Sequence, residues 1–245
     1  MSITNYPVYP GHVAISGTYN FTIQEVAKLM AMQDTLNSYI HPEWKSQNFN
    51  WNLAIQDEIM EIHGHLGWKW WKEGYLKGIT EDNIQQIKLE VIDILHFVMS
   101  TTLEYAINVT HATRWLNSSM YAEGIGSFLH SLYSDATIGG AYWLEAWADL
   151  ARCVGLTEQE VMETYTQKYV LNKFRQDHGY KDGSYVKEWD LGHVPGLTVN
   201  RLQKVEDNEV LAHIVRTWPD FNAGTLDEQS LYTVLESSYN GRLNQ

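Results

Sequence analysis

Two acidic pairs carry the most chemistry in this sequence. Glu58 and Glu61 lie in DEIMEIHGH, and Glu90 and Asp93 lie in KLEVIDILHF. On a helix, residues at this spacing project from one face. Their neighbours are apolar: Ile55, Ile59 and Ile62 flank the first pair, and Val91, Ile94, Leu95 and Val98 the second. Carboxylates crowded beside a core lose hydration and repel one another, so such a face calls for a cation. Hard oxygen donors from two facing helices suit Mg²⁺ or Mn²⁺. Either pair taken alone reads as an ordinary solvated helix surface. The apolar run around Glu90, and the availability of a second pair to face it, favour the metal. A di-iron bundle needs Glu-x-x-His at ligand spacing, and His63, His65 and His96 do not provide it.

Cations and amides follow the acids along the chain. Lys69 and Lys72 stand among Trp68, Trp70 and Trp71 in GWKWWKEG. They read as an aromatic core edge with lysine stems lying along it, or as cations set to meet substrate phosphates. Lys168, Asn172 and Arg175 form a polar stripe in YTQKYVLNKFRQDHGY, with Lys181 and Lys187 beyond it. The stripe is either a solvated face or the seat of a polyphosphate bridged to the carboxylates through metal. Gln33 and Asn37, one turn apart in MQDTLN, are a core-edge amide pair or readers of a base or sugar, since an amide offers both donors and an acceptor.

These groups need helices to hold them. Apolar spacing near 3.6 runs through long stretches that are sparse in Gly and Pro. It predicts helices over about 22–40, 50–65, 80–108, 112–133, 139–154, 157–178, 206–217 and 226–238, with Thr80 and Thr157 as N-caps. GYKDGSYVKEWDLGHVPG is turn-rich and predicts a loop. Alternating β-branched segments are missing, so the expected class is all-α. With 245 residues, one domain over 1–245 with a sizeable core is expected. The net charge of −13 argues against a nucleic-acid partner. The single cysteine, Cys153, fits a reducing compartment. MSITNYPVYPGH has no basic-then-apolar order, so no export signal is expected, and no apolar run suits a membrane span. A cytoplasmic protein is the resulting expectation, in the host cytoplasm if the chain is phage-encoded.

Together these motifs resemble one family, the dimeric, all-α deoxyuridine triphosphatases of kinetoplastids, some bacteria and many phages. These belong to the wider all-α nucleoside triphosphate pyrophosphatases. The resemblance rests on the ExxE and ExxD pairs, WKWWK after the first, DILHF after the second, MQDTLN upstream and LNKFRQDHGYKDGSYVKEW downstream. It implies a helical bundle with a metal site between two helices, and a rigid core with a smaller mobile part at about 110–155. It implies Mg²⁺-dependent hydrolysis of dUTP to dUMP and pyrophosphate, in a homodimer. Glu58, Glu61, Glu90 and Asp93 would hold the Mg²⁺ ions, and Glu58 would take the proton of the attacking water. Trp68, Lys69, Lys72, Lys168, Asn172, Arg175 and Lys187 would meet the substrate, most of them at its triphosphate. Gln33, Asn37, His96 and Phe97 would surround base and sugar.

The chain departs from the family pattern in two places. Tyr169 follows Lys168 where Asn is expected. The closing Glu-Asp-Asn comes only at Glu206-Asp207-Asn208, after the extra DLGHVPGLTVNRLQKV. The segment from about 190 to 245 therefore reads as an extension. A dCTP or dual dCTP/dUTP enzyme is the nearest alternative, and a non-catalytic nucleotide sensor or a purely structural helical protein the more distant ones.

Overall fold

The computed structural model describes residues 9–11, 17–119, 124–135, 142–190, 204–221 and 226–240. The chain forms two compact units, Met1–Tyr165 and Thr166–Gln245. The described elements are helical apart from two strands of three residues each, so the all-α class holds.

In the first unit, α1 (Ile23–Ile40) opens on a reciprocal cap. Thr22 accepts from the Glu25 amide while the Glu25 carboxylate accepts from Thr22. Helix α2 (Trp51–Leu66) starts at Asn50, which accepts from Leu53, and stops at Gly67 in the left-handed region. Helix α3 (Ile84–Glu104) packs against α1, α2 and α6 (Tyr142–Cys153). Its buried residues include Ile87, Val91, Ile92, Ile94, Leu95 and Val98, spread around more than one face. A helix surrounded on several sides needs such an apolar circumference. Trp147 of α6 donates to the Val91 carbonyl at 2.7 Å and fixes that packing.

Some predicted boundaries move, each for a local reason. Thr80 is not the cap of α3, because the buried Asn83 occupies that corner. Its side chain accepts from the Thr80 amide and donates to the carbonyls of His65 and Gly78. Helix α3 stops at Glu104 rather than near Asn108. Ala106 turns left-handed with φ 52°, and Asn108 caps α4 (Val109–Leu116) instead. The single helix expected over 112–133 is two, α4 and α5 (Gly124–Asp135). Asn117 ends α4 by clasping Phe21 through both its amide and its carbonyl. Residues 120–123 and 139–141, which the predicted pair also covered, lie outside the described residues.

Helix α7 (Glu158–Asp177) opens on the Thr157–Glu160 capping box, as predicted, and the division between the units falls within it. In the second unit, β1 (Glu188–Asp190) pairs antiparallel with β2 (Lys204–Glu206), placing Trp189 opposite Val205. Strand β1 stands where the sequence predicted loop; residues 191–203, which take in the end of that loop and most of the extra segment, lie outside the described residues. Helices α8 (Asp207–Phe221) and α9 (Glu228–Asn240) follow. Phe174, Trp189, Val210, Leu211, Ile214, Leu235 and Tyr239 make this unit's core. A unit of this size lacks area for a large core, and aromatic rings, each burying much surface, fill the need.

Candidate metal centre

Packing α2 against α3 brings the acidic pairs together. Glu58, Glu90 and Asp93 each turn a carboxylate oxygen into a common space, and those oxygens lie within 4.8 Å of one another. Glu90 is buried, and Glu58 and Asp93 are half-buried. Like charges this close cost about a kilocalorie per pair even in water and several times more near a surface of lower dielectric. His65, near the end of α2, places Nε2 3.3 Å from Glu90 Oε1. All three donors are hard oxygens, the set that suits Mg²⁺ or Mn²⁺, so the residues fit such an ion. Glu61, one turn beyond Glu58, is exposed and does not join the group at this distance.

The WKWWK segment leaves α2 through a turn only glycine can make. Gly67 has φ 78°, and a Cβ there would meet the Gly74 carbonyl oxygen at 2.0 Å. The loop is closed by Leu76 donating to the Gly67 carbonyl at 2.8 Å. Within it Lys69 Nζ lies 5.7 Å from the Trp68 ring, and Lys72 is exposed. Trp70 and Trp71 are 73% and 56% exposed, so this is not a core edge.

Gln33, Asn37 and His96 meet in a buried polar network on α1 and α3. Gln33 Nε2 donates to Asn37 Oδ1 and to Ser100 Oγ, and Asn37 Nδ2 also donates to Ser100 Oγ. Gln33 Oε1 accepts from His96 Nδ1 at 2.7 Å and from the Tyr165 hydroxyl at 2.8 Å. The His96 and Tyr165 rings stack with centroids 3.8 Å apart. Phe97 is half-buried, 6.4 Å from Trp51. Ser100 and Tyr165 were not singled out from the sequence. Both look like ordinary core-lining helix residues until their partners are known.

In the second unit, Lys168, Asn172 and Arg175 do share one face, and they face acceptors. Arg175 makes a two-pronged contact with Asp207, both bonds at 2.8 Å, and also donates to Asn172 and Asn208. Lys168, fully buried, donates to Asn208 Oδ1 at 2.8 Å. Tyr185 donates to Asp207, and Lys187 lies 3.2 Å from Glu206. Burial works against the Asp207 charge, but the hydrogen bonds and charge of Arg175, with Tyr185 and Lys168, outweigh it and hold the carboxyl below its ordinary range. The Tyr185 hydroxyl is pushed well up, by burial first and by Asp207 second. The triplet Glu206-Asp207-Asn208 is thus the partner of the basic stripe. Sequence spacing hid this because the intervening segment displaces it along the chain.

A model of the dUTPase family matches residues 25–180, from α1 to the turn after α7. The match takes in both acidic pairs, the amide pair, WKWWK and the first three members of the basic stripe. It stops short of Lys187 and the Glu-Asp-Asn triplet. No curated protein matches the chain.

Proposed function

The chain belongs to the dUTPase family, and we infer that the carboxylates converging between α2 and α3 form the metal centre at which it hydrolyses dUTP to dUMP and pyrophosphate. The family works with a divalent metal, and Mg²⁺ is the ion proposed here. One observation carries the reading: oxygens of Glu58, Glu90 and Asp93 come within 4.8 Å of one another on two packed helices. Glu61, exposed one turn from Glu58, is proposed as the fourth ligand. When bound, the metal supplies Lewis-acid polarisation of phosphate oxygens and a lowered pKa for water.

The protein's own groups do the rest. Glu58 has a second carboxylate oxygen besides the one in the cluster, and it accepts the proton of the attacking water. Lys69 and Lys72 offer ammonium groups to the triphosphate from the loop that follows Glu61. Trp68 lies against Lys69 and orients it. In the second unit Lys168, Asn172, Arg175 and Lys187 are the proposed phosphate-binding groups, with phosphate oxygens taking positions that Asp207, Asn208 and Glu206 hold in the structure. Base and sugar are assigned to Asn37, His96 and Phe97, with Gln33 behind them. A homodimer is also proposed. Leu53, Met60, Trp70, Trp71 and Tyr75 are exposed apolar side chains on α2 and its following loop, and large exposed apolar surface marks an association site.

Pyrophosphate release from the four common dNTPs and dUTP, with Mg²⁺ and with chelator, tests the reading. Metal-dependent release from dUTP is expected. Release that persists in chelator would remove the metal centre from the proposal, and comparable release from dCTP would widen the substrate.

A further inference from the structure

The loop that carries Lys69 and Lys72 has little to hold its tip. Trp70, Trp71 and Tyr75 are more than half exposed, and the Trp68 and Trp71 rings pack edge to face on each other, 5.4 Å apart. Where the lysines stand is therefore set at the base of the loop. There the chain is pinned on itself: Leu76 donates to the Gly67 carbonyl and Gly78 to the Leu66 carbonyl, at 2.8 and 3.1 Å. The buried Asn83 holds one side of this base, donating to the carbonyls of His65 and Gly78.

The other side is held by a segment far away in sequence. Pro10 offers its carbonyl to the Ile79 amide at 3.1 Å. The approach is so close that a Cβ on Gly78, φ 70°, would overlap the Pro10 oxygen, and one on Gly11, φ 78°, would meet the Ile79 oxygen at 2.8 Å. Beside Pro10, the buried Tyr9 reaches the last turn of α2, its hydroxyl 2.6 Å from His63 Nδ1. Burial first, and Tyr75 second, push that hydroxyl up to about 12, so it stays protonated at neutral pH. A buried tyrosine at one end and a backbone bond at the other tie the end of α2 to the exit of the loop. These residues precede the stretch that the family match covers.

We propose that residues 9–11 are a strap that positions Lys69 and Lys72 for the triphosphate, with Tyr9 as its anchor. The proposal rests on the assignment of those lysines to the phosphates. Two ammonium groups on a loop bind a polyphosphate well when their places are fixed before it arrives. A loop free to swing must be ordered on binding, and the entropy lost appears as weaker binding. The bound geometry is reached all the same, so the loss falls on KM rather than on kcat. Tyr9 is thus a positioning residue that acts through the loop.

The test uses the full chain with Tyr9→Phe, Tyr9→Ala and Gly11→Ala, beside the double variant Lys69→Ala/Lys72→Ala. Two things are read: kcat and KM for dUTP, and the rate of trypsin cleavage after Lys69, Lys72 and Lys77, located by fragment mass. Tyr9→Ala should raise the KM about tenfold with kcat changed less than about twofold. It should speed cleavage in the loop while cleavage elsewhere keeps its rate, as expected of local opening. Gly11→Ala drives a methyl toward the Ile79 carbonyl and should act in the same direction. Tyr9→Phe keeps the ring, loses the hydroxyl and should do less; these two carry the test if Tyr9→Ala fails to fold. Because the strap acts through the lysines, adding Tyr9→Ala to the double variant should raise the KM no further. A Tyr9 that only stabilised the fold would lower the melting temperature and add the same factor in both backgrounds. That result, or loop cleavage at the wild-type rate in Tyr9→Ala and Gly11→Ala, overturns the proposal. If the double variant keeps the wild-type KM, the phosphate assignment has failed and the strap loses its role with it. If that KM rises while the strap variants keep theirs, the lysine assignment stands and the strap alone is refuted.

Discussion

The two units treat buried carboxylates in opposite ways. Between α2 and α3, Glu58, Glu90 and Asp93 bring three acceptors of one sign within 4.8 Å. At the start of α8, Asp207 is more deeply buried than Glu58 or Asp93, but Arg175 forks onto it and Tyr185 donates to it. The second cluster supplies its own counter-charge and holds a carboxyl below its usual range despite burial. The first gathers three carboxylates on two packed helices, with His65 beside Glu90. On the proposed reading the first arrangement receives a metal, whereas the second meets its buried carboxylate with a cation of its own chain.

The contrast breaks most visibly in activity. Asp93→Asn removes a charge from the first cluster with little change of shape. Turnover of dUTP should fall roughly 1000-fold, the loss expected when several kilocalories of metal-borne charge stabilisation are removed. Without metal the variant should melt no lower than the wild type, since it relieves repulsion. Glu61→Gln should behave similarly if Glu61 is the fourth ligand. A variant with near-normal Mg²⁺-dependent release would sink the metal assignment.

In the second cluster the corresponding change should cost stability. Arg175→Ala strands Asp207, whose side chain is fully buried, and breaking one partner of a buried pair costs about 3–5 kcal/mol. Urea unfolding should record this equally with and without chelator. Base preference should not change. An altered dUTP-to-dCTP ratio would contradict a phosphate role for Arg175.

Metal should in turn stabilise the first cluster. At free Mg²⁺ about 100 times the dissociation constant, linkage predicts about 2.7 kcal/mol. Thermal melts across an Mg²⁺ titration should show it in the wild type and lose it in Asp93→Asn. A shift of equal size in both proteins would place the ion elsewhere.

The sequence revealed the first cluster better than the second. Glu58, Glu90 and Asp93 come from two local acidic pairs on helices whose caps, Asn50 and Gly67 among them, can be read from residue type, although Glu61 of the first pair stays outside the group. Only the pairing of α2 with α3 had to be assumed. The amide network was half legible. Gln33 and Asn37 stand out because two amides in an apolar helix are conspicuous, but Ser100 and Tyr165 become visible only when α3 and α7 bring them to Gln33. The second cluster was least legible. Its basic half lies on one helix, but its acidic half, Glu206-Asp207-Asn208, lies beyond the displaced segment, and nothing periodic links the two. The hairpin was missed for the same reason, since Glu188–Asp190 and Lys204–Glu206 are each too short to show a period of two.

The smallest effect expected is in acid, and it bears on whether Asp207 is charged as its neighbours suggest. A carboxyl held below its unfolded value, about 3.9 for Asp, stabilises the fold above that value. The contribution is lost as pH falls through the lower folded value, because protonation removes the charge that Arg175 holds. From pH 7 to pH 5 the contribution of Asp207 should therefore stay flat, and below about pH 4 it should shrink. Asp207→Asn, nearly the same shape without the charge, should be less stable than the wild type at neutral pH, and the gap should narrow below pH 4. Hydrogen exchange along α8, measured on both proteins at pH 7, 5 and 3.5, follows this unit by itself. If the gap persists undiminished at the lowest pH, the Asp207 carboxylate is not what holds the second cluster, and the contrast with the metal-ready cluster would rest on geometry rather than on charge.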